Sequence, residues 1–489
     1  MSAKLRVFAV VTVLVLTRIA AAQVPSPTVE GPVTGGTGFP FFLGTVFDLA
    51  PLGYEQTEYF VSGTARSFTT ATELTSDGLW TVAPDGPTAA YKTRILVHRP
   101  INKRKFNGTV IVEWSNVSGG VEVSPDWTGA HTELIREGFA WVGVSAQIVG
   151  VEGGQPLLGV INLPLKRADP VRYASLVHPG DSFSYDIFSQ VAQAIRHPAG
   201  IDPLGDLDVK RVIAVGESQS AMRMVTYIDG IHPVAHVYDG FLVHSRAGFG
   251  TFAPLSEAPQ VDVTMPSLVF IRSDIDVPVL TFQTETDLTF LSFFAARQPD
   301  TRRIRTWEVA GTAHADIYLL TTGATDLGNS PAVADIVITN EPVPGILTCA
   351  QPVNSGPQHF VLNAAFAALN RWVRTGKPPA PAPPLDIVAG PPRVITRDAH
   401  GNAVGGIRTP QLDVPIATFR GEQEGDFTCR LFGTTTLLDA PTLAALYPTH
   451  RAYVSAFNKS LKKAVRAGFV LRPDAKLLKQ WAAQSAVGG

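Results

Sequence analysis

One string constrains this chain more than any other: residues 211–221, RVIAVGESQSA. A β-branched run at 212–215 passes through Gly216-Glu217-Ser218-Gln219-Ser220 straight into a helical run at 221–227. A strand that becomes a helix within so few residues must turn sharply. Ser218 is expected on that strained turn, where only small neighbours two positions away avoid a clash, as Gly216 and Ser220 do. Its Oγ then projects from the C-terminal edge of a sheet, and the following amide and the helix N-terminus favour negative charge developing there. Around this string, apolar runs alternate with helical periods. Strands are expected at 92–97, 109–114, 140–146, 209–215, 237–243, 277–282 and 303–309, and helices at 128–137, 183–196, after 218, and at 288–297. Such alternation implies an α/β chain with a mostly parallel central sheet and helices on both faces.

A serine so placed needs a base and an acid, and this topology supplies them in the order serine, acid, histidine. One strand ends in Gln283-Thr284-Glu285-Thr286-Asp287, and the next ends in Ala310-Gly311-Thr312-Ala313-His314. Asp287 and His314 are 27 positions apart, enough for one helix between adjacent strands, and of eleven histidines His314 has this placement. In the catalytic reading His314 takes the Ser218 proton, Asp287 holds the imidazole, and Ser218 forms an acyl-enzyme. Glu285 is the alternative acid. Each residue also has a bland reading (helix cap, helix cap, loop histidine), but the three together in order favour chemistry. An oxyanion hole is expected from the Gln219 N–H and a second amide in the loop Ser115-Asn116-Val117-Ser118-Gly119-Gly120. Val117 is favoured for it and Asn116 is the alternative. Asn116-Val117-Ser118 also forms a glycosylation sequon, which a pocket-lining position would make a poor acceptor. Glu217 and His244 are possible pocket residues, and His178 and Arg246 are weaker ones.

Strand–GESQS–helix, ETD after a strand and GTAHAD after the next resemble the α/β-hydrolase superfamily, most of all its secreted esterase-like branch. VEWSNVSGG, WVGVSAQ, HPGDSFSYDIFSQ and GGIRTP resemble that branch too. The resemblance runs from about residue 59 to the C-terminal helix. It implies an α/β-hydrolase fold that cleaves small-molecule carboxylic esters through Ser218, His314 and Asp287 or Glu285, with no cofactor. Ser220 departs from the commoner final glycine of GxSxG, which loosens helix–strand packing and removes no catalytic group. Amide or lactone hydrolysis, acyl transfer by the same triad, and a non-catalytic extracellular binding module are the alternatives.

The ends of the chain give its context. Lys4 and Arg6 precede an apolar run at 7–16 and Ala20-Ala21-Ala22, the pattern of a signal peptide over residues 1–22. That run is too short to span a bilayer. Export to the periplasm or the medium follows. The pair Cys349 and Cys429 then suggests one disulfide. A catalytic core is expected over 23–330, irregular to about 58, with a loop-rich C-terminal extension at 331–489 packed on it. That extension holds a helix at 360–375 and a basic amphipathic helix with Tyr453, Phe457, Leu461 and Val465 on its apolar face. The stretch 245–276 is expected to form part of a lid. With 45% hydrophobic and 17% charged residues the chain is not disordered. Forty Lys and Arg against 42 Asp and Glu give no polycationic signal for nucleic acid. No HExxH, P-loop or dinucleotide fingerprint occurs, so no metal or nucleotide cofactor is expected. The oligomeric state stays open.

Overall fold

Runs of Val, Ile and aromatic residues with no polar face make the centre of the molecule. A computed structural model describes residues 24–489 except 160 and 389; the expected leader at 1–22 lies outside the described residues. The antiparallel side of the sheet comes first: β1 (Thr28–Glu30), β2 (Tyr54–Arg66) and β3 (Thr88–Pro100). Six short strands follow: β4 (Thr109–Trp114), β5 (Ala140–Val144), β6 (Arg211–Glu217), β7 (Gly240–His244), β8 (Val279–Gln283) and β9 (Ile304–Glu308). Among the described residues the nine form one sheet in the order β1-β2-β3-β5-β4-β6-β7-β8-β9. From β5 to β9 every neighbour is parallel.

Side chains of these strands alternate between two cores, as the two-residue period requires. Val110, Val112, Val212 and Ala214 face one core with Ile187, Phe188 and Val191 of α2 (Ser184–Arg196) and Met224 of α3 (Gln219–Thr226). Ile111, Ile213 and Val215 face the other with Trp127 and Leu134 of α1 (Pro125–Arg136). The mostly parallel sheet with helices on both faces is therefore what the sequence implies.

Four expectations need correction. The entry at 23–58 is not all irregular, because β1 and the start of β2 lie in it; β1 is only three residues long and β2 opens on polar Glu55, Gln56 and Thr57, so neither shows an apolar run. α1 begins at Pro125, ahead of 128, because proline suits a first helical turn. The helix expected at 288–297 is instead α4 (Glu285–Thr289), a left-handed Ser292 and a 3-10 turn at Phe293–Ala296. The stretch around Gly248 packs on Ser292 so closely that a Cβ on that glycine would lie 2.3 Å from the Ser292 carbonyl oxygen. Lastly, one basic helix does not close the chain: α6 (His450–Ala467) and α7 (Arg472–Gln484) form a pair turned by left-handed Gly468.

The segment after 330 is not merely laid on the core. Its helix α5 (Gln358–Thr375) covers a sheet face, with Val361, Leu362, Leu369 and Trp372 against Leu242, Leu280 and Trp307. α6 and α7 pack in turn on Phe360 through Tyr453, Phe457, Leu461 and Leu478. Val465 packs half-buried against the same cluster, as expected, and Ala464 is buried beside it, because a 3.6-residue period drifts away from a strict spacing of four. Lys459, Lys462, Lys463 and Arg466 form its solvated outer face. Cys349 and Cys429 are joined in a disulfide. Among the described residues no helix is long and apolar enough to cross a membrane.

Candidate active site

β6 ends at Glu217 and α3 begins at Gln219, so Ser218 alone makes the turn, at φ 60 and ψ −120. Its N–H donates to the His244 carbonyl at 2.9 Å and its carbonyl accepts from Met222 N–H at 3.1 Å, which fixes the strained residue from both sides. The turn closes only because position 216 lacks a side chain: a Cβ there would lie 2.9 Å from the carbonyl carbon and oxygen of Ser220.

The loops after β8 and β9 bring acid and base to this serine. His314 Nε2 lies 2.7 Å from Ser218 Oγ, and His314 Nδ1 lies 2.7 Å from Asp287 Oδ1. Asp287 Oδ2 accepts from Thr284 N–H at 2.7 Å, closing a capping box on α4. Helix capping and histidine binding are thus done by opposite oxygens of one carboxylate. Thr286 Oγ1 accepts from the His314 N–H at 3.1 Å and holds the backbone of the histidine loop. Burial works against a charged His314, but Glu217 and Asp287 outweigh it and raise the imidazole above its ordinary value.

Glu285 does not reach His314. Its buried carboxylate accepts from Gly311 N–H at 2.6 Å, Gly421 N–H at 3.0 Å and Arg397 Nη1 at 2.7 Å. It pins the histidine loop to the C-terminal segment. Asn116 is likewise removed as a backbone donor, since its N–H donates to the Val123 carbonyl at 2.9 Å. The Val117 N–H has no acceptor among the described residues, and the Gln219 N–H belongs to the first turn of α3, where no intrahelical acceptor exists. Asn116 Nδ2 donates to the carbonyl oxygen and to Oε2 of Glu217, both at 3.1 Å, which ties this loop to the elbow. As a sequon, Asn116 is buried.

Glu217 is buried, with Oε1 3.3 Å from His314 Nε2, and burial pushes its carboxyl up to about 7. His244, the other possible pocket residue, has no exposed surface. It is fully buried behind the elbow, with Nδ1 3.0 Å from Asp126 Oδ1 and Nε2 accepting from Gln358 Nε2 at 3.1 Å, and burial lowers it to about 4. His178 is buried on the Ala146 carbonyl, and the Arg246 guanidinium is capped by the Val269 and Ala247 carbonyls. Ala247 and Ala253, from the expected lid, pack with Met222, Leu291, Leu431, Leu158 and Phe290 as an apolar wall next to the elbow helix. Three metal-type donors meet elsewhere, at His232, His236 and Asp276, where a His232–Asp276 hydrogen bond of 3.0 Å already explains the arrangement.

Two supporting residues were not anticipated. Glu113, inside the apolar strand TVIVEW, accepts from Asp126 N–H, Trp127 N–H and Trp141 Nε1 at 2.8–3.0 Å. A lone carboxylate amid β-branched residues was the available signal. Asn354 is fully buried and donates from Nδ2 to the carbonyls of Gly311 and Arg420. Nothing in its sequence surroundings marks it.

A family model described as an alpha/beta hydrolase domain matches residues 29–480. No curated protein matches the chain. Solved structures that it resembles include one of two fungal esterases from Rhizomucor miehei, at 12% identity over 54% of this chain and 78% of that one, TM-score 0.28. Acetyl xylan esterase 1 from a Thermoanaerobacterium matches at 13% identity over 58% and 80%, TM-score 0.29. A serine hydrolase without a lid from Xanthomonas campestris matches at 15% identity over 50% and 86%, TM-score 0.28.

Proposed function

The chain belongs to the alpha/beta hydrolase domain family, and from that premise we propose that it is an exported serine esterase, cleaving carboxylic esters through an acyl-enzyme on Ser218. One observation carries the reading: the unbroken line Asp287 Oδ1–His314 Nδ1 and His314 Nε2–Ser218 Oγ, each 2.7 Å. His314 accepts the Ser218 proton at Nε2 as Oγ attacks the ester carbonyl, while Asp287 fixes the tautomer and stabilises the imidazolium. The N–H groups of Gln219 and Val117 receive the oxyanion. The imidazolium returns its proton to the departing alkoxide, and water attacks the acyl-enzyme by the same route. The disulfide supports export, since such bonds persist in oxidising compartments. Residues 1–22 are the removed leader in this reading.

A fluorophosphonate probe tests it. Wild-type protein becomes labelled and hydrolyses p-nitrophenyl acetate, whereas Ser218→Ala and His314→Ala lose both. Folded wild-type protein that neither labels nor turns over is a binding module instead. Matched ester and amide substrates then separate esterase from amidase.

A further inference from the structure

Glu217 has no role in the mechanism above, yet its carboxylate, and not that of Asp287, is the acid in contact with the reacting nitrogen. Oε1 is 3.3 Å from His314 Nε2, the same nitrogen that lies 2.7 Å from Ser218 Oγ. Asp287 takes the other side of the ring at Nδ1. The Glu217 side chain is 6% exposed, so little water screens the pair. Its other oxygen, Oε2, accepts from Asn116 Nδ2 at 3.1 Å, next to the favoured oxyanion donor. One carboxylate therefore touches the base and the oxyanion loop at once. We propose that Glu217 is a positioning residue that holds His314 from the Nε2 side and stabilises the imidazolium formed when Ser218 gives up its proton. This inference rests on the esterase reading.

No atom is transferred to Glu217. The proton leaves Ser218 Oγ, resides on Nε2, and passes to the leaving alkoxide; the carboxylate only makes its stay on the ring less costly. The charged and titratable groups facing this carboxylate come from four elements. They are His314 after β9, Asp287 on α4, His244 at the end of β7 and Asp126 at the start of α1. Burial keeps His244 neutral at working pH and raises Asp126 to about 8. His314 is thus the cation that Glu217 can stabilise at close range. A negative charge beside an imidazole raises its proton affinity, so losing that charge lets the base stay unprotonated to lower pH.

The test is the pH profile of kcat/KM for p-nitrophenyl acetate in wild type, Glu217→Gln and Glu217→Asp. Glutamine keeps the acceptor for Asn116 and removes the charge. Its plateau kcat is expected to fall roughly 10-fold, with KM little changed, and its acid limb to move to lower pH. Aspartate, shorter by one methylene, gives a limb between the two. If the glutamine variant does not fold, the aspartate variant decides alone: a limb displaced to lower pH supports the inference, and an unmoved limb overturns it. An active wild type whose limb is unmoved in folded Glu217→Gln overturns this inference and leaves the esterase reading standing. An inactive wild type overturns both.

Discussion

Ser218 holds φ 60, a region that costs a non-glycine residue on the order of 1–3 kcal/mol and persists only where neighbours enforce it. Gly216 is one of those neighbours, and its absent side chain is what lets Ser220 approach. Gly216→Ala is expected to destabilise by about 1–3 kcal/mol in denaturant titration and to lower kcat, because a methyl against backbone has nowhere to go. Ser220, the departure from GxSxG, buries a hydroxyl with no partner among the described residues. Ser220→Ala removes that orphan and is expected to stabilise by about 1 kcal/mol with activity retained. A loss of stability there would show that the hydroxyl has a partner after all. The two acids after β8 divide in the same manner. Asp287→Asn should lower kcat roughly 10³–10⁴-fold at nearly unchanged stability, through a wrong imidazole tautomer. Glu285→Gln should cost about 2 kcal/mol, since Arg397 loses its buried carboxylate and keeps only Glu422, with kcat per folded molecule near wild type. The reverse pattern would reassign the acid.

At the scale of elements, α1 depends on a residue that belongs to a strand. Glu113 gathers the first N–H groups of the helix and the Trp141 indole, so its side-chain oxygens cap α1. Between Glu113 and the helix run residues 114–124, with Asn116 and Val117. Glu113→Ala is expected to strand three buried donors, to cost about 2–4 kcal/mol, and to lower kcat by loosening that loop. A melt that falls while kcat holds would mean the loop is fixed by the Asn116–Val123 bridge alone. The same element shows where sequence reasoning stops. The strand TVIVEW is legible because β-branched residues leave no polar face, and Ser218, Asp287 and His314 are legible because each follows such a strand. Glu113 is not, since its partners lie 13 to 28 positions away. The break after α4 is equally hidden: ETDLTFLSFFAAR carries a helical period, and the chain turns at left-handed Ser292, where distant Gly248 packs against it.

Across the whole molecule, the C-terminal segment is built into the loops that carry Asp287 and His314. A hairpin, β10 (Ala417–Arg420) and β11 (Thr434–Leu437), brings Gly421 and Leu431 to the acid and histidine turns. The Gly421 carbonyl accepts from Thr286 Oγ1 at 2.5 Å, and the Leu431 carbonyl accepts from Ala315 N–H at 3.2 Å, one residue past His314. Asn354 joins Gly311 to Arg420 at 3.2 and 3.0 Å. The disulfide closes a loop of 80 residues around these contacts, and Cys429 lies two positions before Leu431. Opening such a loop lowers stability by about 4 kcal/mol in the chain-entropy account, through a less restricted unfolded chain. Its local effect should be larger on the histidine than on the sheet, because the sheet keeps α1, α2 and α5 on its faces whatever the hairpin does. The double variant Cys349→Ser, Cys429→Ser separates the two. Trp114, Trp127, Trp141, Trp307 and Trp372 are buried in the sheet cores and report the sheet by fluorescence, while esterase activity reports the His314 loop. In wild type both signals are expected to disappear together on adding urea. In the variant, activity should fall at a lower urea concentration than the fluorescence transition, as the hairpin and Ala315 come free before the sheet opens. Coincident transitions in the variant would mean that Glu285 and Asn354 hold the histidine loop without help from the disulfide.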